Sequence, residues 1–201
     1  MSAAPDLVVV PVGGANFGSL ARAFERVGVV PRFSAEPADL RRASHVVLPG
    51  VGAAAAAMPA LRSQRLADLL AGLRVPLLGI CLGMQLLFEH SAEGEVPLLG
   101  LLPGRVERLP AAPSWPHMGW TTLTATASGR GHPLLAGIGA DDWFYFVHGY
   151  AASTSSSTLA SADHGGAFSA VVGAGNRLGV QFHPEKSAAA GRRLLRNFLD
   201  L

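Results

Sequence analysis

Short strand-like runs alternate with helical patterns through the first half of the chain. These runs lie at residues 7–12, 29–33, 45–48 and 75–80, and each is rich in apolar residues. Between them, apolar residues recur at the spacing of one helix face, as at Leu20, Phe24 and Val27. Apolar strands separated by helices predict a parallel sheet that is covered by helices on both faces.

The second half of the chain has a different pattern. Strand-like runs follow one another with few helical patterns between them, at 104–109, 120–123, 143–147, 159–162, 167–172 and 178–182. A last helix is predicted over 188–201. We therefore expect an α/β fold with an open, mostly parallel central sheet flanked by helices and with additional antiparallel strands in the second half. The length of 201 residues and the lack of a linker predict a single domain over 1–201.

Composition and charge exclude several classes of partner. The chain is 49% hydrophobic and carries a net charge of only +2, and its basic residues are scattered, so no nucleic-acid surface is expected. No apolar stretch reaches the length of a membrane span, and the first residues do not resemble a signal peptide. A single cysteine excludes an internal disulfide and suits a reducing compartment. These features predict a cytoplasmic protein that binds neither nucleic acid nor membrane.

That single cysteine, Cys81, lies where a nucleophile would be displayed. It follows the strand-like run 75–80 and precedes a helical run that begins at Met84, with Gly79 and Gly83 on either side. A tight strand-to-helix turn with small neighbours exposes a nucleophile, and a helix N-terminus offers N–H groups to an oxyanion. However, a lone cysteine more often packs as a small hydrophobe, so the interpretation needs a base elsewhere in the chain.

A candidate base lies near the end of the chain, at His183. Glu185 is two residues later, and Pro184 between them favours an extended backbone in which both side chains point to the same side. A carboxylate placed there can orient the imidazole while its other nitrogen serves the thiol. Cys81, His183 and Glu185 are therefore the candidate catalytic triad.

Two alternatives concern these segments. A metal site built on Cys81, His183 and Glu185 is disfavoured because the chain has no second cysteine and no HExxH motif, and we expect neither metal nor cofactor. The Pro49–Gly52 segment follows another predicted strand and is either an ordinary strand-ending turn or a source of oxyanion-binding N–H groups.

Together, Gly79–Gln85 (GICLGMQ) and Gln181–Glu185 (QFHPE) resemble the motifs of class I glutamine amidotransferases. Three further segments, Pro116–Trp120, Tyr145–Tyr150 and Lys186-Ser187, are similar to those of the glutaminase subunits of imidazole glycerol phosphate synthases. Three places depart from that pattern. Val10-Pro11, or a pair next to it, stands before the first glycine turn where Asp-Tyr is usual, Thr121 stands where an Asn is usual, and Gly149 where a Ser or Thr is usual.

The resemblance implies hydrolysis of glutamine to glutamate and ammonia through a cysteine thioester. It also implies that a separate (β/α)₈ cyclase subunit, bound as a heterodimer, receives the ammonia and makes imidazole glycerol phosphate and aminoimidazole carboxamide ribotide in histidine biosynthesis. Substrate and oxyanion binding would then fall to Gly50, Val51, Gly52, Leu82, Gln85, Gly149 and Tyr150. The partner interface would include His117, Met118, Gly119, Trp120, Tyr145 and Lys186.

Other assignments remain open on the sequence. Trp120 and Tyr145 are equally typical of core packing. The chain could also serve another glutamine-dependent synthase, such as one for anthranilate, GMP or a pyridoxal cofactor, or it could be a non-catalytic interaction protein that has kept the fold.

Overall fold

An eight-stranded sheet forms the centre of the computed structural model, which describes residues 5–12, 14–111 and 114–201. The prediction that the first residues do not form a signal peptide concerns a segment that lies partly outside the described residues. The strands, in chain order, are β1 (Leu7–Val9), β2 (Arg32–Phe33), β3 (His45–Gly50), β4 (Leu77–Cys81), β5 (His90–Ser91), β6 (Val96–Pro97), β7 (Arg105–Arg108), β8 (His117–Thr122), β9 (Thr124–Ala125), β10 (Trp143–His148), β11 (Tyr150–Ala152), β12 (Thr158–Asp163), β13 (Ala167–Ala174) and β14 (Arg177–Val180).

The central sheet changes from parallel to antiparallel along its width. Its strand order is β2-β1-β3-β4-β14-β13-β12-β9. The pairings from β2 to β14 are parallel, and those from β14 to β9 are antiparallel. Two smaller sheets, β10-β8 and β11-β7-β5-β6, are formed by strands between residues 90 and 152. The expected α/β architecture with additional antiparallel strands is thus confirmed.

The helices cover both faces of the central sheet. They are α1 (Phe17–Glu25), α2 (Pro37–Arg42), α3 (Ala54–Ser63), α4 (Leu66–Gly72), α5 (Leu82–Gln85) and α6 (Ala188–Leu199). Alternation along β1 sends Leu7 and Val9 into a core with α1 and α6, and Val8 and Val10 into a second core with α2, α3 and α4. Burial on both faces explains why the parallel strands are nearly continuous apolar runs.

Two helix boundaries differ from the sequence pattern. Apolar spacing predicts one helix over 61–73, but Arg65 adopts a left-handed φ of 54° and separates α3 from α4. The sequence predicts Ser19 as the N-cap of α1, but the side chain of Asn16 caps this helix by accepting a hydrogen bond from the Ser19 N–H at 3.1 Å. Across the ranges that the structure describes, no helix has both the length and the apolar character needed to cross a membrane.

Candidate active site

Cys81 ends the central strand β4 in a strained conformation. Its φ of 54° and ψ of −113° lie outside the regions favoured by non-glycine residues, and the residue is only 7% exposed. Such strain costs on the order of 1–3 kcal/mol and tends to be kept at functional sites. The strand extends one residue further than predicted, and the following helix is the single turn α5 rather than a run beginning at Met84. The expected sharp turn at the cysteine is nevertheless present.

The Pro49–Gly52 segment lies beside Cys81 because β3 and β4 are parallel neighbours. In their register Gly50 is paired with Cys81, so the residues after Gly50 leave the sheet at the level of the thiol. Val51 and Gly52 line the same cavity as Cys81. Gly52 has a φ of 90°, which residues with a side chain rarely adopt. The segment is thus both the end of a strand and part of the wall around the Cys81 thiol.

His183 and Glu185 are joined by a short hydrogen bond. The His183 Nδ1 and Glu185 Oε1 atoms are 2.8 Å apart, and the two side chains are 6% and 7% exposed. The predicted extended geometry is wrong, because Pro184–Lys186 forms a 3₁₀ turn. Proline suits the first position of such a turn, where its missing N–H is not needed. The turn still brings the carboxylate to Nδ1 and leaves Nε2 available.

The environment of His183 favours the imidazolium form. Burial by itself would lower the pKa of His183, but hydrogen bonds and negative charges from Cys81 and Glu185 outweigh it and raise the pKa to about 10. His183 therefore holds a proton at neutral pH beside the Cys81 sulfur. A protonated imidazole next to a cysteine is the arrangement expected of a cysteine nucleophile and its acid–base partner.

A cavity of about 240 Å³ opens over the thiol. Its lining includes most of the residues expected to bind substrate or oxyanion, namely Val51, Gly52, Leu82, Gln85, Gly149 and Tyr150, together with Cys81 and His183. Gly50 lines an adjoining cavity of about 40 Å³ that also reaches His183 and Glu185. A larger groove between α2 and α4 has neither a thiol nor a histidine in its lining.

Glu93 also lines the cavity and was not identified from the sequence. It is half-buried, and burial raises the pKa of its carboxyl group. No motif or spacing marks Glu93 in the segment SAEGEV, so only the folded chain reveals it. The cavity thus has a carboxylate in addition to the thiol. Within the described part of the chain, no three His, Cys, Asp or Glu side chains are arranged to hold a metal ion.

The expected interface residues lie on the β8-β10 ribbon and next to it. Met118 and Trp120 are 63% and 48% exposed, so Trp120 is not a core residue. Its ring packs edge-on against Tyr145 at 5.8 Å, and Lys186 Nζ lies 5.6 Å from the centre of the Tyr145 ring. Gly119 lies between the two exposed residues of β8. His117, in contrast, is buried and points inward, so it presents no side chain to a partner.

Comparisons with known proteins agree with this geometry. The model of the family "Glutamine amidotransferase class-I" matches residues 9–201. The chain is 52% identical over 198 residues to "Imidazole glycerol phosphate synthase subunit HisH" of Xylella fastidiosa (strain Temecula1 / ATCC 700964), covering 98% of both chains. It is 53% identical, with the same coverage, to the protein of that name from Xanthomonas axonopodis pv. citri (strain 306).

Solved structures support the fold at low sequence identity. A protein from Thermoplasma acidophilum that is described as a subunit of GMP synthase superimposes with a TM-score of 0.75 at 18% identity, covering 100% of this chain and 94% of the other. A crystal structure of a glutamine amidotransferase gives a TM-score of 0.73 at 21% identity, covering 96% and 97%. At these identities the likeness concerns the arrangement of strands and helices.

Proposed function

This chain belongs to the class I glutamine amidotransferase family, and we propose on that basis that it hydrolyses glutamine through Cys81, His183 and Glu185. The observation that carries the proposal is the cavity in which the thiol and the imidazole meet, with the carboxylate bonded to Nδ1 at 2.8 Å. The three residues act within one glutamine amidotransferase domain, residues 1–201. The reaction needs no cofactor.

The charge state of the pair sets the order of events. The Cys81 thiolate attacks the side-chain amide carbon of glutamine and forms a tetrahedral oxyanion. The His183 imidazolium then gives its proton to the departing nitrogen, so ammonia leaves and a glutamyl thioester remains. Neutral His183 next takes a proton from water, which attacks the thioester and releases glutamate and the thiolate. Glu185 keeps His183 in one tautomer and stabilises its positive charge.

Oxyanion stabilisation is assigned to backbone N–H groups on two sides of the thiol. Leu82 follows the nucleophile directly, as the donor of a nucleophile elbow does. The other donor comes from the Gly50–Gly52 turn, which the β3-β4 register holds beside Cys81. Losing one such donor costs about 2.7–4 kcal/mol of transition-state stabilisation. Modest rotation of this turn would therefore change the rate strongly.

Glutamine is held at its amino-acid end by the far side of the cavity. Glu93 offers the negative charge that an α-ammonium group requires, and Gln85, Gly149 and Tyr150 complete that wall.

Glu93→Gln is expected to raise KM for glutamine by about tenfold or more and to change kcat less, because the lost contact is present in both ground and transition states. Steady-state glutamate release measures both constants. The matched control is Glu95→Gln in the same loop, whose side chain is 70% exposed; a kcat loss without a change in KM would contradict the assignment.

The product ammonia is passed to a second subunit. Ammonia is mostly protonated near pH 7 and is then a poor nucleophile, so direct transfer favours its use. The relatives are named subunits of imidazole glycerol phosphate synthase, which supports a heterodimer with a (β/α)₈ cyclase that makes imidazole glycerol phosphate and aminoimidazole carboxamide ribotide for histidine biosynthesis. Exposed Met118, Trp120 and Lys186, together with half-buried Tyr145, provide an aromatic and cationic surface for that partner. A single free cysteine suits the reducing cytoplasm.

The deciding experiment measures glutamate release by this chain alone and after mixing with the cyclase and its ribotide ligand. Weak activity alone that increases strongly in the mixture is the expected result for a glutaminase that is controlled by its partner. Activity that is absent in both samples would refute the proposed reaction. Activity that is unchanged by the cyclase would refute the proposed partner and leave the glutaminase function intact.

Glu185→Gln is expected to shift the pH dependence of hydrolysis. The negative charge of Glu185 helps to raise the pKa of His183 to about 10, so a neutral amide lowers that pKa. The imidazolium needed to protonate the leaving nitrogen is then lost at a lower pH, and the alkaline limb of kcat/KM moves from near pH 10 toward neutrality. At pH 7.5, kcat should also fall by about 10²–10⁴-fold. An alkaline limb that stays in place would contradict this role, and exposed Glu107→Gln is the control.

A further inference from the structure

Gln181 is a buried amide next to the nucleophile that the reaction scheme above does not use. It directly follows β14, is 0% exposed, and places its side-chain nitrogen Nε2 at 3.8 Å from Cys81 Sγ. A fully buried amide must satisfy its donors and acceptor within the protein. One of its two N–H donors therefore has the sulfur as its partner.

We propose that Gln181 is a further residue of the catalytic site, whose amide N–H stabilises the Cys81 thiolate, and that Gln85 is the positioning residue that keeps this N–H turned toward the sulfur. The inference rests on the proposed glutaminase function, because a thiolate needs stabilisation only if it reacts. It assigns Gln85 a second role besides lining the glutamine cavity.

The orientation of the Gln181 amide is fixed through Gln85 by the Tyr150 backbone carbonyl, which can only accept hydrogen bonds. Gln85 Nε2 lies 2.9 Å from the Tyr150 carbonyl oxygen and 3.0 Å from Gln181 Oε1, so its two hydrogens are donated to these two oxygens. Gln181 Oε1 is then occupied as an acceptor, and only Nε2 is left to face the sulfur. A flipped Gln181 amide would set two N–H donors against each other and an oxygen against the thiolate.

A second set of hydrogen bonds holds the Tyr150 carbonyl from the other side. His148 Nδ1 donates to it at 2.9 Å, which requires the proton on Nδ1. Burial lowers the pKa of His148 to about 3, so its other nitrogen is unprotonated and accepts from His117 Nδ1 at 3.0 Å. His117 Nε2 in turn accepts from the Thr121 hydroxyl at 3.1 Å, since burial lowers the pKa of His117 to about 4. In each of these hydrogen bonds the donor and the acceptor are therefore fixed, and the Tyr150 carbonyl oxygen accepts from both Gln85 and His148.

The hydrogen bonds therefore run without a break from Thr121 on β8 to Cys81 Sγ. Thr121 and His117 belong to the strand that exposes Met118 and Trp120, whereas Gln181 belongs to the loop after β14. Removing the Gln181 donor leaves the sulfur with His183 as its charged partner and makes the thiolate less stable. The other titratable groups around the sulfur are Glu185 behind His183, and His148, Glu93 and Tyr150 in the wall of the cavity.

The test uses Gln181→Met, which keeps the length of the side chain and removes its donor. Because the chain has one cysteine, alkylation by iodoacetamide reports Cys81 alone and needs neither glutamine nor partner. We expect the pH of half-maximal alkylation rate to rise by about one unit, and kcat for glutamine hydrolysis to fall by about tenfold with a smaller change in KM. The control is Gln64→Met at the exposed end of α3, which should leave both unchanged.

A folded Gln181→Met protein with an unshifted alkylation profile would overturn the inference. If thermal unfolding shows that this variant does not fold, Gln85→Met decides instead, because it releases the Gln181 amide without touching the sulfur. A shift in the same direction supports the inference, and an unchanged profile overturns it. The parent's own glutamate release reports the proposed function separately, so hydrolysis with an unshifted profile rejects only the role of Gln181.

Discussion

Cys81→Ala is expected to reduce glutamine hydrolysis by at least about 10⁴-fold and to leave the protein folded. The thioester cannot form without the thiol, and the remaining groups only bind glutamine and polarise its amide. Alanine fits the same position because it is smaller than cysteine and meets the same backbone strain at a φ of 54°. The cost in stability should therefore be that of one small buried group, about 1 kcal/mol.

Glutamate release and thermal unfolding, measured on the same samples, separate these two effects. Ser63→Ala at the exposed end of α3 is the matched control, since it also removes one small polar group. Cys81→Ser asks whether a hydroxyl can replace the thiolate, and we expect it to be nearly as inactive because His183 is arranged to pair with a charged sulfur. Hydrolysis by Cys81→Ala at more than a tenth of the parent rate would point to another nucleophile or a contaminating glutaminase.

The position of Cys81 at the end of a central strand and beside the Gly50–Gly52 turn could be predicted, because local patterns mark both segments. The apolar run before Cys81 predicts a buried strand, and parallel pairing brings the ends of neighbouring strands to one edge of the sheet. The Gly50–Cys81 register is the direct outcome of that rule. The contact between His183 and Glu185 was also expected, although through an extended geometry that the chain does not adopt. Their two-residue separation is short enough to allow a hydrogen bond from more than one backbone conformation.

Glu93 and the hydrogen bonds around Gln181 could not be predicted in the same way. Glu93 reaches the cavity from a turn after β5, and no periodic pattern places that turn beside Cys81. Gln181 and Gln85 are 96 positions apart, and only the packing of β14 next to β4 brings them together. The break between α3 and α4 lies at Arg65, which is neither glycine nor proline, so no helix-breaking residue marks it in the sequence. Long-range proximity of single residues leaves no periodic signal in one sequence.

Gly83→Ala is expected to have the largest effect on stability, because the start of α5 lies directly against β3. A Cβ atom at Gly83 would overlap with the Leu48 carbonyl oxygen and lie 2.7 Å from its carbonyl carbon. Both atoms belong to the backbone of a fully buried central strand, so they cannot rotate away as a side chain could. We expect a loss of about 3 kcal/mol in the free energy of unfolding, at the upper end for overpacking. For a chain of this length that lowers Tm by roughly 6–12 °C.

The same substitution should also impair hydrolysis in the molecules that stay folded. Relief of the clash moves α5 away from β3, and α5 begins at Leu82, directly after the nucleophile. The Leu82 N–H then leaves the oxyanion, for which a loss of about 10²–10³-fold in kcat is typical. Gly72→Ala is the matched control, because a Cβ atom there meets nothing within 4 Å and alanine favours the helix. Equal Tm values for the two variants would show that the α5–β3 contact is not as close as the structure places it.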